Sequence, residues 1–407
     1  MAKSLPESNR VNRLSTADVG IYIHVPFCEL VCPYCDFAVT ARKNIPHKAY
    51  ADALIRELDE RAFALEGRRV RTIYVGGGTP SRLAPGELSR VLEHARQLAG
   101  RQPLDEVTIE ANPTDITLEN IAVWKRAGVN RVSLGVQSFQ ERVLRRLGRN
   151  HDGEVAEVAI ERLLDGDLRA SIDLIFGAPE QTEEEWASDL EVFQRFVRER
   201  GLSHLSAYNL TIEPATPYSR MASKGEISIP GEDQCARFYE MLFQAASEVG
   251  VEPYEVSSWS SRSQQANTRA VHNGLYWSGA EYLGVGVGAH SLEISDDGRV
   301  WRSSNTRHLN AYLLQGRAAC EREELGARDH LEERIFVALR TRAGLDLGEL
   351  EHQFGDLYAS VQGELMRRLE DLEKREMVTF ISPSVCAPTR GALLLADAIG
   401  AWATGGL

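Results

Sequence analysis

Three thiols stand close together in the stretch Cys28-Glu29-Leu30-Val31-Cys32-Pro33-Tyr34-Cys35, which has a C-x3-C-x2-C spacing and follows the apolar residues 20–25. Cysteine thiolates are the usual ligands of iron–sulfur clusters, and three thiolates on one loop can hold three corners of a [4Fe–4S] cubane. The next cysteine, Cys235, lies far along the chain. The spacing therefore predicts a cluster with one open iron, to which a reacting group can bind.

Other interpretations of the three thiols stay open at this point. Structural zinc usually has four ligands in a closed tetrahedron, and His24 and His47 lie outside the usual zinc-ligand spacing. A disulfide framework requires pairs of cysteines, and an odd group of three argues against it. Unliganded thiols are the third interpretation.

The residues on both sides of the thiols make the pattern more specific. They read Tyr22-Ile23-His24-Val25-Pro26-Phe27-Cys28 before the loop and Cys35-Asp36-Phe37 after it. This sequence resembles the first-strand motif of radical S-adenosylmethionine (SAM) enzymes. Within that superfamily it is similar to the branch that holds the oxygen-independent coproporphyrinogen III oxidases and the bacterial haem chaperones.

The resemblance implies a cofactor set. It places a [4Fe–4S] cluster on Cys28, Cys32 and Cys35, and SAM on the open iron through the amino and carboxylate groups of SAM. In the superfamily an electron from the cluster splits SAM into methionine and a 5′-deoxyadenosyl radical, so the cofactors carry the difficult chemistry.

Composition limits the class of protein. The 407 residues are 43% hydrophobic and carry a formal net charge of −13. This negative charge argues against nucleic-acid binding, because contacts to phosphates depend on Lys and Arg. No apolar run reaches the roughly 18 to 20 residues needed to cross a bilayer, and residues 1–16 lack the apolar core of a secretory signal. Six cysteines, three of them scattered, are typical of a reducing cytoplasm, where we expect the protein to act.

Short β-branched runs alternate with longer amphipathic stretches from Ile21 onward. After the first strand, the predicted strands are residues 70–75, 106–110, 131–136, 171–175 and 204–208, and the helical patterns include residues 48–65, 85–98 and 183–198. This alternation is typical of βα units around a parallel sheet. Six strands suit an incomplete (β/α)6 TIM-type barrel, which the resemblance also implies, with chemistry at the C-terminal ends of the strands.

The expected domain organisation has four parts. A flexible lead covers residues 1–18, the partial barrel residues 19–250, and a barrel extension residues 251–325. Within the extension, residues 252–257 are expected to form a strand that leads into a polar loop. The alternating glycines of residues 282–290 are typical of a strand that another group approaches closely, or of a tight buried strand. In residues 326–407, helices followed by a hairpin predict a small winged-helix-like α+β domain, similar to the C-terminal domain of the haem chaperones.

A glycine-rich turn follows the second predicted strand. Three glycines at 76–78 let the backbone approach a ligand and present N–H groups, although a plain βα turn has the same pattern. By resemblance Gly77, Gly78 and Thr79 contact the amino group of SAM, and Glu110 lies near the SAM ribose, where a carboxylate can accept from two hydroxyls. Tyr22, on the first strand, is predicted with them as a cofactor-binding residue.

Three further residues follow or lie within later strands. Gln137, Arg149 and Asp173 line, by resemblance, a second SAM site or a nearby substrate space. An acidic residue inside an apolar strand is costly without a partner. Asp173 is therefore expected to face a polar site, and a cation such as Arg149 would be a suitable partner.

Two features separate the two branches of the family. Phe37 stands where the coproporphyrinogen oxidases carry a further Cys, and its simplest role is packing behind the cluster loop. The segment His272-Asn273-Gly274-Leu275-Tyr276-Trp277 resembles the HNxxYW motif of the haem chaperones. Imidazole is a common axial haem ligand, so His272 is predicted to bind haem, with the two aromatic residues as flat apolar surface.

Nearby cations have two interpretations. Arg302 and Arg307 could face the propionates of haem, and an exposed polar strand end explains them equally well.

The sequence thus predicts a radical SAM-type haem chaperone. Its partners would be haem, haem-accepting proteins and an electron donor for the cluster, with peripheral contact to membrane proteins and a monomeric or haem-dependent dimeric state. The alternative is oxygen-independent coproporphyrinogen III oxidation, against which the missing Cys at Phe37 counts. A third class, tRNA modification, lacks a basic patch.

Overall fold

The computed structural model describes residues 10–13, 18–100, 102–262, 268–316 and 320–406. Most of the predicted flexible lead, residues 1–9 and 14–17, lies outside the described residues. Residues 10–13 are packed, because the Val11 amide donates to the Gly298 carbonyl at 2.9 Å and the Val11 side chain is buried.

Seventeen strands are found in the described residues. They are β1 (Asp18–Val25), β2 (Phe27–Cys28), β3 (Thr40–Ala41), β4 (Arg69–Gly77), β5 (Glu106–Ala111), β6 (Arg131–Gln137), β7 (Arg169–Phe176), β8 (His204–Asn209), β9 (Val251–Pro253), β10 (Ser258–Ser261), β11 (Glu281–Val285), β12 (His290–Ile294), β13 (Val300–Ser304), β14 (Glu321–Leu325), β15 (Leu345–Asp346), β16 (Val378–Ser382) and β17 (Val385–Pro388).

Fourteen α-helices accompany these strands in the same part of the chain. They are α1 (His47–Glu60), α2 (Pro85–Leu98), α3 (Leu118–Arg126), α4 (Glu141–Arg146), α5 (Gly153–Asp165), α6 (Glu183–Arg200), α7 (Pro217–Ser223), α8 (Glu232–Glu248), α9 (Val271–Ser278), α10 (Leu309–Gln315), α11 (Ala327–Ala338), α12 (Leu347–Phe354), α13 (Asp356–Lys374) and α14 (Ala396–Thr404).

The large sheet confirms the predicted partial barrel. Its strand order is β14-β13-β12-β11-β1-β4-β5-β6-β7-β8-β10-β9. The six strands from β1 to β8 in this order pair in parallel, as helix-connected strands must. One further parallel strand, β11, joins β1 at the edge, and antiparallel strands extend the sheet on both sides.

Local sequence explains why the helices begin and end where they do. Helix α6 begins with a capping box, in which the Thr182 hydroxyl accepts from the Glu185 amide and the Glu185 carboxylate accepts from the Thr182 amide. It ends at Arg200 and is capped by Gly201, whose left-handed backbone conformation costs a glycine little. Helix α2 begins at Pro85, at the position where the missing amide hydrogen of proline is harmless.

Two stretches fold differently from the prediction. Residues 252–257 were expected to form a strand that leads into a polar loop, but β9 ends at Pro253 and β10 begins at Ser258, so a turn separates two antiparallel strands. The buried Trp259 explains the second strand, because its side chain needs the core. Residues 282–290 are not one strand, since the chain reverses between β11 and β12 at glycines with positive φ (Gly286, +100°; Gly288, +66°).

The C-terminal unit has the predicted winged-helix-like arrangement. Its elements follow the order α11, β15, α12, α13, β16 and β17, and β15, β17 and β16 form a small antiparallel sheet. Its core includes Leu331, Leu350 and Leu365, and it also takes in Val11 and Val300 from outside the unit.

No helix in the described part of the chain is both long and apolar enough to cross a membrane.

Candidate functional site

A cavity of about 440 Å³ opens at the C-terminal ends of the barrel strands. This is the volume range of small-molecule sites. The structure brings ten of the twelve predicted site residues into its wall: Cys28, Cys32, Cys35, Gly77, Gly78, Thr79, Glu110, Gln137, Arg149 and Asp173. The other two, Tyr22 and His272, are not among its lining residues.

The cysteine loop is held at both ends and in its middle. Strand β2, which ends at Cys28, pairs in parallel with β3, and the Cys35 amide donates to the Cys32 carbonyl at 3.1 Å, which closes a tight turn. The Pro33 carbonyl accepts from the Tyr218 amide at the start of α7 at 3.0 Å. The loop is therefore positioned before any cofactor binds.

The three thiols are half-buried in the cavity wall and have polar neighbours. The Thr79 hydroxyl donates to Cys28 Sγ at 3.8 Å, and Arg149 Nη1 donates to Cys32 Sγ at 3.7 Å. Such donors stabilise the negative charge on thiolate ligands. Burial raises the pKa of the Cys28 thiol to about 11, so metal binding at this position releases a proton.

This arrangement fits a cubane cluster. In the described residues no three His, Cys, Asp or Glu side chains are grouped so that they could hold a single metal ion. A cubane does not require such grouping, because its irons occupy separate corners and each thiolate binds its own iron. The donor set of three thiols beside an open cavity leaves room for a group on the fourth corner.

The glycine turn after β4 is shaped by close contact with the cluster loop. A Cβ at Gly78 would lie 2.9 Å from both Cys28 Sγ and the Pro26 carbonyl oxygen, and a Cβ at Gly77 would lie 2.5 Å from the His24 ring. Gly77 also has a φ of +120°. Glycine is thus required here by packing and backbone conformation, independently of any ligand.

Glu110 connects the glycine turn to the barrel wall. Its Oε2 accepts from the Gly77 amide at 2.9 Å and its Oε1 accepts from the Tyr74 hydroxyl at 2.7 Å. Burial raises the pKa of the Glu110 carboxyl. Each oxygen accepts one of these bonds and has a second lone pair, and Glu110 lines the cavity, so the carboxyl can still accept from a ligand.

Asp173 lies in the cavity wall without the cation that the sequence suggested. Its carboxylate accepts from the Ser133 hydroxyl at 3.0 and 3.1 Å and from Ser206 on the neighbouring strand. Arg149 instead donates to Asn112 Oδ1 at 2.6 Å and to the Gly135 carbonyl at 3.1 Å. Asp173 thus lies in a polar site as expected, but Arg149 is not its partner, because hydroxyls on adjacent strands already satisfy the carboxylate.

The titration of Asp173 gives a testable pH dependence. Burial, with a smaller contribution from Glu110, raises the pKa of Asp173 to about 7 from its ordinary value of 3.8. Between these values the folded chain holds a proton that the unfolded chain releases, so the Asp173 contribution to stability falls as pH rises from about 4 to about 7.

Asp173→Asn should weaken this decline in stability with pH, because the amide does not titrate. Unfolding midpoints of both proteins at pH 5 and pH 8 test the expectation, and equal pH dependence would contradict it.

Gln137 has a strained backbone at the end of β6. Its φ of +69° is in the left-handed region, which is uncommon for a side chain of this size, and the register with β7 shifts between Gly135 and Gln137. Strain of this kind is often found where a side chain is aimed at a ligand. Here it places Gln137 in the cavity wall.

Tyr22 and His24 form a pair beneath the cavity. His24 Nε2 donates to the Ala38 carbonyl at 2.9 Å, and because a carbonyl can only accept, Nδ1 accepts from the Tyr22 hydroxyl at 3.0 Å. Burial lowers the pKa of His24 to about 4, so the ring is neutral. The Tyr22 hydroxyl therefore orients the His24 ring, and the His24 ring holds the Ala38 carbonyl, which lies just after the cluster loop.

His272 lies inside the barrel and outside the cavity wall, where its ring stacks on Tyr74 at 5.0 Å between centroids. Its Nδ1 is 2.7 Å from the Thr72 hydroxyl on β4, and its Nε2 is 2.8 Å from the Tyr276 hydroxyl. The side chain is 1% exposed, and burial lowers its pKa to about 3. A neutral imidazole has one donor and one acceptor, and both are used here. The role of His272 as a haem ligand stays a prediction, and it requires the ring to give up one of these two hydrogen bonds.

The two aromatic residues of the same motif also have protein partners. The Tyr276 ring contacts Tyr282 edge-to-face at 4.7 Å between centroids, and the Arg340 guanidinium lies 5.4 Å from the centroid of Trp277. Helix α9 is held between the barrel and α11 of the C-terminal unit.

Phe37 is not packed behind the cluster loop as expected. Its side chain is 66% exposed and lines the mouth of the cavity, where Leu30 and Val31 are also exposed. Among the residues that the structure describes, none forms a second layer over the loop at this point, so the phenyl ring stays largely exposed.

Sequence reasoning missed the residues that position the predicted ones. Asn112 holds Arg149, Ser133 and Ser206 hold Asp173, and Tyr74 holds Glu110. The sequence did contain a pattern that could have identified the inward-facing polar residues, because side chains two residues apart on a strand share a face. The polar pairs Thr108/Glu110 and Arg131/Ser133 mark the inward faces of β5 and β6.

Comparison with known proteins agrees with this geometry. The profile of the Radical SAM superfamily matches residues 22–193, and that of the HemN C-terminal domain matches residues 325–394. The solved structure of coproporphyrinogen III oxidase (HemN) from Escherichia coli aligns with a TM-score of 0.77 at 25% identity, covering 98% of this chain and 92% of that one. Fold and site together define a radical SAM protein.

Curated relatives identify the family more closely. Proteins named heme chaperone HemW are 37% identical over 76% of this chain and 79% of their own length in Escherichia coli, and 30% identical over 94% and 98% in Bacillus subtilis. The HemW of Lactococcus lactis is 34% identical over 86% and 88%. The chain belongs to the HemW family.

Proposed function

We propose that this chain is a haem chaperone, which binds haem and transfers it to haem-requiring proteins in the cytoplasm. The observation that carries the proposal is the cavity with three half-buried thiols, which has the exposed Phe37 at the position where the oxidases of this branch have a thiol. The relatives named as haem chaperones support it, because they match most of the chain at 30–37% identity.

The residues of the cavity would hold two cofactors. Cys28, Cys32 and Cys35 would bind a [4Fe–4S] cluster, and the region of Gly77, Gly78, Thr79 and Glu110 would bind SAM. When bound, the cluster supplies one-electron chemistry and SAM supplies a group that such an electron can cleave.

Side chains of the protein itself position the thiols and the glycine turn. Arg149 and Thr79 donate to two of the sulfurs, and Glu110 fixes the glycine turn through the Gly77 amide. Asp173, with its pKa raised to about 7, holds a proton at a carboxylate oxygen through much of the acid range. The expected partners are haem-accepting proteins and an electron donor, with peripheral contact to membrane proteins and a monomer or haem-dependent dimer.

A second candidate is oxygen-independent coproporphyrinogen III oxidation. The fold similarity to HemN favours it. The side chain of Phe37 counts against it, because a phenyl ring cannot perform thiol chemistry.

Haem titration and transfer separate the two functions. We expect the anaerobically reconstituted chain to bind ferric haem with a defined Soret spectrum and to pass it to a haem-free acceptor such as an apoglobin. Coproporphyrinogen III, SAM and a reductant should yield no decarboxylated product in a parallel assay. Turnover of coproporphyrinogen without stoichiometric haem binding would reverse the assignment.

A further inference from the structure

Residues on β1 and β4 form successive layers along the inside of the barrel. The two strands pair in parallel, and their register sets three pairs side by side: Gly20 and Thr72, Tyr22 and Tyr74, and His24 and Gly76. Side chains two residues apart on a strand share a face. The layers therefore lead along one face of the two strands toward the glycine turn, which lies in the cavity wall.

The first layer holds the imidazole of His272. A Cβ at Gly20 would lie 3.1 Å from His272 Cε1, so the ring lies directly against the glycine. The Thr72 hydroxyl, 2.7 Å from Nδ1, belongs to a side chain that is 0% exposed. Tyr276, whose hydroxyl is 2.8 Å from Nε2, is only half-buried. A metal that binds Nε2 would thus displace Tyr276 and leave the ring held by Thr72, as ligand histidines are usually held through their other nitrogen.

The second layer joins this imidazole to the cavity. The Tyr74 ring stacks on the His272 ring at 5.0 Å between centroids, with an angle of 25° between the ring planes. The Tyr74 hydroxyl donates to Glu110 Oε1 at 2.7 Å. One side chain therefore contacts the predicted haem ligand with its ring and the predicted SAM-binding carboxylate with its hydroxyl.

Gly76 makes this double contact possible. A Cβ at Gly76 would lie 2.8 Å from Tyr74 Cε1 and 2.9 Å from Glu110 Oε1, which is closer than Cβ atoms approach other atoms in proteins. Close packing of these two side chains therefore explains this glycine. Glu110 in turn accepts from the Gly77 amide at 2.9 Å, which connects the Tyr74 hydroxyl to the turn in the cavity wall.

We propose that Tyr74 is a positioning residue shared by the two sites, so that SAM bound near Glu110 and haem bound at His272 strengthen each other's binding. This inference rests on the proposed function and adds a coupling between its two ligands. Each ligand orders Tyr74 through its own contact residue, and the ligand that binds second meets a ring that is already ordered. Coupling between two sites is reciprocal and typically amounts to about 5- to 150-fold in affinity.

Haem titration of the cluster-reconstituted chain, with and without SAM, tests the coupling. No reductant is added, so that the cluster stays oxidised and SAM stays intact. In the wild type, saturating SAM should tighten haem binding by about fivefold or more, and haem should tighten SAM binding by the same factor. Tyr74→Phe keeps the ring and loses the hydroxyl, so the ratio of its haem affinities with and without saturating SAM should fall to about one.

Tyr239→Phe is the matched control. It also removes one tyrosine hydroxyl, and within the described residues that hydroxyl has no hydrogen-bond partner. Its ratio of haem affinities should equal that of the wild type. A wild type whose haem affinity does not change with SAM, or a Tyr74→Phe protein that keeps the full ratio, would overturn the inference and leave the proposed function intact.

A measurement without haem separates this inference from the proposed function. Histidine side-chain NMR of the reconstituted chain should show that the His272 ring signal shifts when SAM is added, and this shift should be absent in Tyr74→Phe at saturating SAM. The spectrum of His272→Gln assigns the signal. No shift in the wild type, or an equal shift in both proteins, would overturn the inference. A wild type that shows the Tyr74-dependent shift and binds no haem would contradict the proposed function alone.

Discussion

Cys28→Ser is expected to reduce the iron bound after anaerobic reconstitution from about four atoms per chain to below about one. A serine hydroxyl is not deprotonated at neutral pH and cannot replace a thiolate on iron. Two thiolates would remain on a loop that is already positioned by Tyr218 and by the pairing of β2 with β3. Two ligands cannot retain a cubane that normally uses at least three. Iron and sulfide analysis, together with the visible absorbance of the cluster, measures the effect.

Cys320→Ser is the matched control for this experiment. Cys320 is also a half-buried thiol, and its Sγ donates to the Glu321 carbonyl at 3.2 Å, away from the cavity. Its iron content should equal that of the wild type. Full cluster content in Cys28→Ser, or equal losses in both variants, would show that the C-x3-C-x2-C loop is not the cluster site.

Glu106→Ala is expected to lower the free energy of unfolding by about 3–5 kcal/mol, the usual cost of removing one partner of a buried ion pair. Glu106 is 0% exposed, and its oxygens accept from the amides of Val271 and His272 at 3.0 and 3.2 Å. It thereby caps α9, whose own N-cap residue, Ala270, has no side-chain acceptor. The variant would also leave the buried Arg131 guanidinium without its carboxylate.

Chemical denaturation of the wild type and three variants measures this effect. Glu240→Ala removes an exposed glutamate from the middle of α8 and should change stability by less than about 0.5 kcal/mol. Glu106→Gln keeps one acceptor oxygen and should be intermediate. A Glu106→Ala protein within about 1 kcal/mol of the wild type would contradict the role of this carboxylate as the cap of α9.

The barrel strands were predictable because the information that specifies them is local. Apolar β-branched runs such as residues 131–136 and 171–175 sit within the observed strands β6 and β7, and α2 has the predicted bounds. The reversal at Gly286 was not predictable. A Gly-x-Gly-x-Gly pattern fits an extended strand as well as a turn, and contact with His24, more than 250 residues away, decides between them.

The sequence predicted which residues line the cavity better than it predicted their hydrogen-bond partners. The thiols, the glycine turn, Glu110 and Asp173 all lie at strand ends or in strands, so the rule for parallel barrels places them together. The partners of Asp173 depend on the register of β6, β7 and β8, which the sequence does not state. The burial of His272 likewise depends on where α9 docks, and the motif alone contains no information on that.

The second hydrophobic core has a consequence for how this chain can be divided. Val11, Leu292 and Val300 pack with Leu331 and Leu350, so a segment before the barrel, two of the added strands and the C-terminal unit share one apolar interior. A truncated protein that stops before α11 would expose that interior to water and should aggregate. The radical SAM portion of this chain is therefore not a detachable module, and truncation experiments on it would report on misfolding before they report on haem.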